Sequence, residues 1–151
     1  MKKQTKPNFY DYEKYEEAVK KIRKENEAHL KGFEQWLTDK GLAKKTIRNH
    51  VNNVDFYINE FLVRYEANNA AKGCSERASE FLGDWFIRKT TWSSCAEIRA
   101  NAASFKKFYT YMLEKGEIEK DAYDDFIIIL KEEISEWLEK MKEYESMEID
   151  S

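Results

Sequence analysis

Apolar side chains return every three or four residues along most of this chain, and five stretches hold the pattern long enough to predict helices. The first covers residues 11–40, with Tyr12, Tyr15, Val19, Ile22, Leu30, Phe33, Trp36 and Leu37 on its apolar side and a kink expected near residues 29–31. In the second, residues 44–65, the stripe is Ile47, Val51, Val54, Ile58, Phe61, Leu62 and Tyr65. A shorter third helix, residues 75–89, is expected to bury Phe81, Leu82, Trp85 and Phe86 behind a Ser75 cap. The fourth, residues 94–114, buries Ile98, Ala102, Phe105, Phe108, Tyr109 and Met112. Along the fifth, residues 120–144, Ile127, Leu130, Ile134, Trp137, Met141 and Tyr144 follow in steps of three and four. That spacing makes a coiled-coil-like seam, which needs a partner inside or outside the chain.

Turn-forming residues sit between these stretches and nearly nowhere else. Gly41, the segment around Gly73, residues 90–94 and Gly116 mark the joints, in a chain with 5 Gly and 1 Pro. The prediction is an all-α protein. A length of 151 residues with 42% apolar side chains is enough for one hydrophobic core.

The polar faces of two helices differ from the rest. Opposite its stripe the second helix carries Arg48, Asn49, Asn52, Asn53, Phe56 and Asn59, and the fourth carries Ala96, Arg99, Ala100, Ala103, Lys106 and Lys107. Net charge is −3, a total that hides a strong division: residues 41–116 hold 12 Lys/Arg against 8 Asp/Glu, whereas residues 117–151 hold 4 against 13. A mildly basic middle can bind phosphate locally while an acidic end repels it, so Glu132, Glu133, Glu136, Glu139 and Glu143 of the fifth helix must face away from any nucleic acid.

Two segments add a family resemblance. Residues 41–61, GLAKKTIRNHVNNVDFYINEF, are similar to the G-L-S-x-x-T-hydrophobic-x-x-Y pattern that opens the second helix of the core-binding domain of tyrosine recombinases, the phage integrases. Thr46 and Ile47 fall on the pattern, while His50 stands where tyrosine is usual and Asn53 where aspartate is common. Residues 92–118, WSSCAEIRANAASFKKFYTYMLEKGEI, resemble a second stretch of that domain, with Ile98, Phe105, Phe108, Met112, Gly116 and Ile118 in register and Glu97 in place of the usual threonine. The resemblance spans roughly residues 29–118. It implies a four-helix SAM-like bundle, with residues 1–28 as an N-terminal helical extension and residues 119–151 as an acidic C-terminal helix. It also implies one jaw of a clamp that closes on duplex DNA while a separate domain does the cutting.

Strand exchange needs a tyrosine nucleophile with arginines, a lysine and histidines around the phosphate, normally with an H-x-x-R pair. Here His29 is followed by Leu-Lys-Gly and His50 by Val-Asn-Asn, so the expectation is a jaw without its catalytic half. Both histidines and the 9 tyrosines read as packing, capping or surface residues. Cys74 and Cys95 form no C-x-x-C pair and read as reduced thiols of a cytoplasmic protein; no metal site, cofactor, leader or membrane span is expected.

The expected DNA contacts are Lys44, Lys45, Thr46, Arg48, Asn49 and Asn52 from the second helix and Arg99, Lys106 and Lys107 from the fourth. The start of the second helix offers free N–H groups to a phosphate beside three cations, and asparagine amides match adenine edges in a major groove. Duplex DNA is the expected partner, with a recombinase catalytic domain or a second copy docking through the C-terminal helix. A rival reading keeps the fold but binds a protein through that helix's seam or through the Phe56 face.

Overall fold

The computed structural model describes residues 9–150, with side chains over 11–147. The basic opening of the chain, residues 1–8, and Ser151 lie outside them. Five helices follow one another, and no strand occurs among the described residues. They are α1 (Phe9–Asp39); α2 (Lys44–Phe56, continued by a π-helical turn, Tyr57–Phe61); α3, built of Arg77–Glu80, a second π-helical turn Phe81–Trp85, and Phe86–Lys89; α4 (Cys95–Glu114); and α5 (Lys120–Asp150). A short 3-10 turn, Ala70–Gly73, lies in the connection before α3.

The joints fall where the sequence puts them. Gly41 and Gly116 take φ values of 84° and 77°, and each follows a helix whose last carbonyls it caps. Ser94 accepts from the Glu97 amide at 3.0 Å to start α4, and the Ser75 hydroxyl accepts from the Arg77 amide at 3.2 Å at the head of α3.

Two expectations need correction. First, α1 passes residues 29–31 without a break, since its buried positions Asn26, Phe33 and Leu37 fit one straight stripe. Second, α2 ends at its π turn, and Tyr65 is 63% exposed instead of buried. The wider turn shifts the stripe, so that Tyr57 joins Ile58, Phe61 and Leu62 inside and Tyr65 is turned out. Phe126, Leu130, Trp137 and Met141 of α5 are buried in the main core against α3 and α4, so the heptad-like seam finds its partner within the chain.

That core is dominated by aromatic rings. Tyr57 stacks on Phe105 with centroids 4.3 Å apart, tying α2 to α4, and Tyr109 meets the edge of Phe126 at 5.0 Å, tying α4 to α5. Trp137 lies so close to α3 that only a glycine fits opposite it: a Cβ on Gly83 would sit 2.6 Å from its Cδ1.

The first half of α1 is held differently. Val19 and Ile22 make a small separate cluster with Val63, and the rest of the contact is polar. Every helix leaves its last carbonyls without a partner in the helix itself. Here α1 supplies partners for α2: Asn26 donates to the Ile58 carbonyl at 3.2 Å, Arg23 Nη2 to the Asn59 carbonyl at 3.0 Å, and the Tyr15 hydroxyl to the carbonyls of Val63 and Arg64. The Arg23 guanidinium also places positive charge at the negative end of the α2 dipole.

Candidate nucleic-acid interface

α2 and α4 pack against each other. His50 and Asn53 meet Ser104 midway along α4, while Phe56, one turn later in α2, meets Trp92 just before α4 begins. The junction is a polar knot inside an otherwise apolar contact. Ser104 is fully buried; its hydroxyl donates to the Ala100 carbonyl at 3.0 Å and accepts from the Asn53 amide at 3.0 Å. His50 Nδ1 lies 2.7 Å from the same oxygen. With the hydroxyl hydrogen on Ala100, Nδ1 carries its own hydrogen and Nε2 is left as an acceptor, becoming a second donor once the ring is protonated. Burial, and then the charge of Lys107, hold the His50 pKa below its usual value.

The expected contacts are open to solvent on both helices. Lys44, Lys45, Thr46, Arg48, Asn49 and Asn52 are exposed on α2; across the seam Arg99 and Lys106 are exposed and Lys107 is half-buried on α4. Ala96, Ala100 and Ala103 leave a low, exposed ridge between them. α2 starts after Ala43, which offers no side-chain cap, so its first amides have no side-chain acceptor. Nor are the six cations neutralised: the ion pairs among the described residues are Arg77–Glu80, Arg88–Asp84 and Lys120–Asp124.

The asparagine row of α2 divides on folding. Asn49 and Asn52 remain open, but the Asn53 amide is taken by Ser104, and Asn59 bonds Asn26 at 2.8 Å and Asp55 at the edge toward α1. Phe56 is not an open face either, being half-buried against Phe81, Trp85 and Trp92. Two of the four asparagines on this face thus keep open amides.

Two acidic residues of α5 face α3. Glu133 accepts from the Ser79 hydroxyl of α3 at 2.6 Å, and Glu136 borders the same cleft beside Gly83 and Asp84. At 100° per residue, Glu132, Glu139 and Glu143 follow Glu136 on that flank, while Lys131 and Lys142 fall on the opposite flank, toward α4. Glu133 and Glu136 thus line the α3 side of α5, and Glu132, Glu139 and Glu143 are exposed.

Other reactive groups are tied into the core. The Tyr57 and Tyr109 hydroxyls donate to the carbonyls of Gly73 at 2.9 Å and Ala70 at 2.7 Å, and burial pushes both phenols well above their usual pKa. Burial likewise pushes the Cys74 thiol up to about 12, and both cysteines are unpaired. Among the described residues no three His, Cys, Asp or Glu side chains come together as a metal would require, and no helix is long and apolar enough to cross a membrane. Sequence reasoning read His50 as a packing residue and passed over Ser104 and Trp92. The signal for the knot was a serine on the edge of α4's apolar arc opposite a polar pair on α2.

No protein-family model, no curated protein and no solved structure matches this chain.

Proposed function

We propose that this protein is a non-catalytic DNA-binding module that holds duplex DNA by its phosphates across α2 and α4, in the manner of the tyrosine-recombinase core-binding domain its sequence resembles. The observation that carries the reading is a set of six cations on α2 and α4, none of them in an ion pair among the described residues, on two helices tied together by the Ser104 knot. Phosphates would meet the open amides at the start of α2 together with Lys44, Lys45 and Arg48, and Lys106, Lys107 and Arg99 would meet the next stretch of backbone. Asn49 and Asn52 are the side chains left to read base edges, so sequence preference is modest. The site of action is the cytoplasm, and any cutting chemistry comes from a partner domain.

Two features weigh against the rival reading, a protein-interaction module. The α5 seam is filled by α3 and α4, and the Phe56 face is covered by rings of the same chain.

Fluorescence anisotropy on a mixed-sequence duplex tests the proposal. Six neutralised phosphates give a log–log salt slope of about −5. Replacing Lys44, Lys45 and Arg48 together with Glu is expected to flatten that slope by about 3 and to weaken binding on all sequences alike. Absence of binding at low salt sinks the reading.

A further inference from the structure

Beyond the basic residues, the α2–α4 surface ends in an exposed indole. Trp92 packs edge to face against Phe56, with centroids 5.5 Å apart at 76°, and against Phe86 at 6.3 Å and 78°. Even so it is 52% exposed, while Trp85 and Trp137 are buried and Trp36 is half-buried. Trp36 and Trp85 donate their indole N–H groups to Glu114 and to the Tyr65 hydroxyl; within the described residues that of Trp92 has no such acceptor.

The segment that carries it is fixed on both sides. The Thr90 hydroxyl donates to the Phe86 carbonyl at 2.7 Å, the Ser93 hydroxyl to the Ile87 carbonyl at 3.3 Å, and Ser94 caps α4. Held by two rings and these bonds, the indole loses little freedom on meeting a ligand. Polar and cationic residues stand close to it or to its partner along the chain: Lys89 at the end of α3 and Arg99 in the second turn of α4 are exposed, and Asn52, also exposed, is one turn before Phe56 on α2.

We infer that Trp92 is a stacking platform for an unpaired nucleobase, and that the preferred ligand of this surface is duplex DNA running into a single strand. The inference rests on the phosphate-binding reading above and names its substrate more closely. An exposed aromatic ring on elements that also carry exposed cations and amides matches the alternation of base and phosphate in a nucleic acid. Inside an uninterrupted duplex each base face is covered by its neighbours, so the face that reaches Trp92 belongs to a base outside the stack. The cations then hold the duplex phosphates while the indole takes the first base beyond them.

The test compares a blunt duplex with the same duplex carrying a short oligothymidine tail, followed by anisotropy and by intrinsic tryptophan emission. The tailed duplex is expected to bind roughly tenfold tighter and to quench emission, in line with one base stacked on an aromatic side chain. Trp92→Ala brings the tailed duplex down to the affinity of the blunt one with the salt slope unchanged, and Trp92→Phe keeps most of the difference. If the wild-type protein binds both duplexes equally without quenching, while the Lys44, Lys45 and Arg48 variant still loses binding, the platform is wrong and the phosphate surface stands. If the wild-type protein binds neither, both are wrong.

Discussion

The Asn53 amide of α2 donates to the Ser104 hydroxyl of α4 at 3.0 Å, across the seam that joins the two basic faces. Because Ser104 is fully buried and also meets His50, one hydroxyl sets the relative position of two helices. Ser104→Ala leaves the Asn53 amide and His50 Nδ1 without their partner. Both side chains are only half-buried, so water satisfies part of the loss, and the expected cost is about 1–2 kcal/mol in urea unfolding. DNA affinity falls as well, since the two sets of cations lose their common spacing.

His50 makes stability depend on pH in a calculable direction. Its folded pKa lies below the unfolded value of 6.5, so between the two the unfolded chain binds more protons. Stability therefore declines as pH falls through 6.5 and is regained on raising it. His50→Gln, which keeps a donor toward Ser104 and does not titrate, is expected to flatten this slope in urea titrations above the carboxylate range. DNA acts in the opposite sense, because a phosphate near Nε2 favours the imidazolium. An NMR titration of His50 with bound duplex should give a higher pKa than without it.

Gly83 and Gly41 separate two reasons for keeping a glycine. At Gly83, inside α3, alanine gains about 1 kcal/mol of helix propensity. It also places a methyl 2.6 Å from Cδ1 and 2.9 Å from Nε1 of the buried Trp137 ring. Overpacking of that kind costs about 1–3 kcal/mol, so the clash wins and Gly83→Ala is destabilising. Gly41 has open space around its Cβ direction but a φ of +84°. Gly41→Ala is expected to cost about 1–2 kcal/mol through backbone strain alone. The tryptophan near-UV circular dichroism should change for the first variant and not for the second.

Of the helices themselves, the sequence made most legible. Buried positions such as Ile47, Val54, Ile98 and Phe105 repeat at helical spacing, and Gly41 and Gly116 punctuate them. What it did not reveal depends on how the helices cross. The π turns move Tyr57 inward and Tyr65 outward, and nothing in the spacing of one segment announces an extra residue in a turn. Likewise the row from Asn49 to Asn59 looks uniform along α2, but its members face different neighbours once α1 and α4 are in place. The cations were legible because a charged residue far from the apolar stripe stays on the surface in any packing; Trp92 was not, because an aromatic residue in a short connection is as often buried as exposed.

The two cysteines should differ sharply in reactivity. Cys74 is buried with its thiol pushed up to about 12, while Cys95 is half-buried near the start of α4. At pH 8 about one Cys74 thiol in 10,000 is ionised, so a disulfide reagent is expected to modify Cys95 in the native protein and Cys74 only on unfolding. Equal rates at both would mean that the core around Cys74 opens readily.

The polar ties from Tyr15, Arg23 and Asn26 make the front half of α1 a splint on the open end of α2. Lifting it away exposes little oil, chiefly Val19, Ile22 and Val63, but it strands the carbonyls of Ile58, Asn59, Val63 and Arg64 that its side chains had met. Detachment of the splint and fraying of the π turn are consequently one event. Amide protons in Tyr57–Phe61 should then exchange with solvent at a rate set by residues more than thirty positions earlier in the chain.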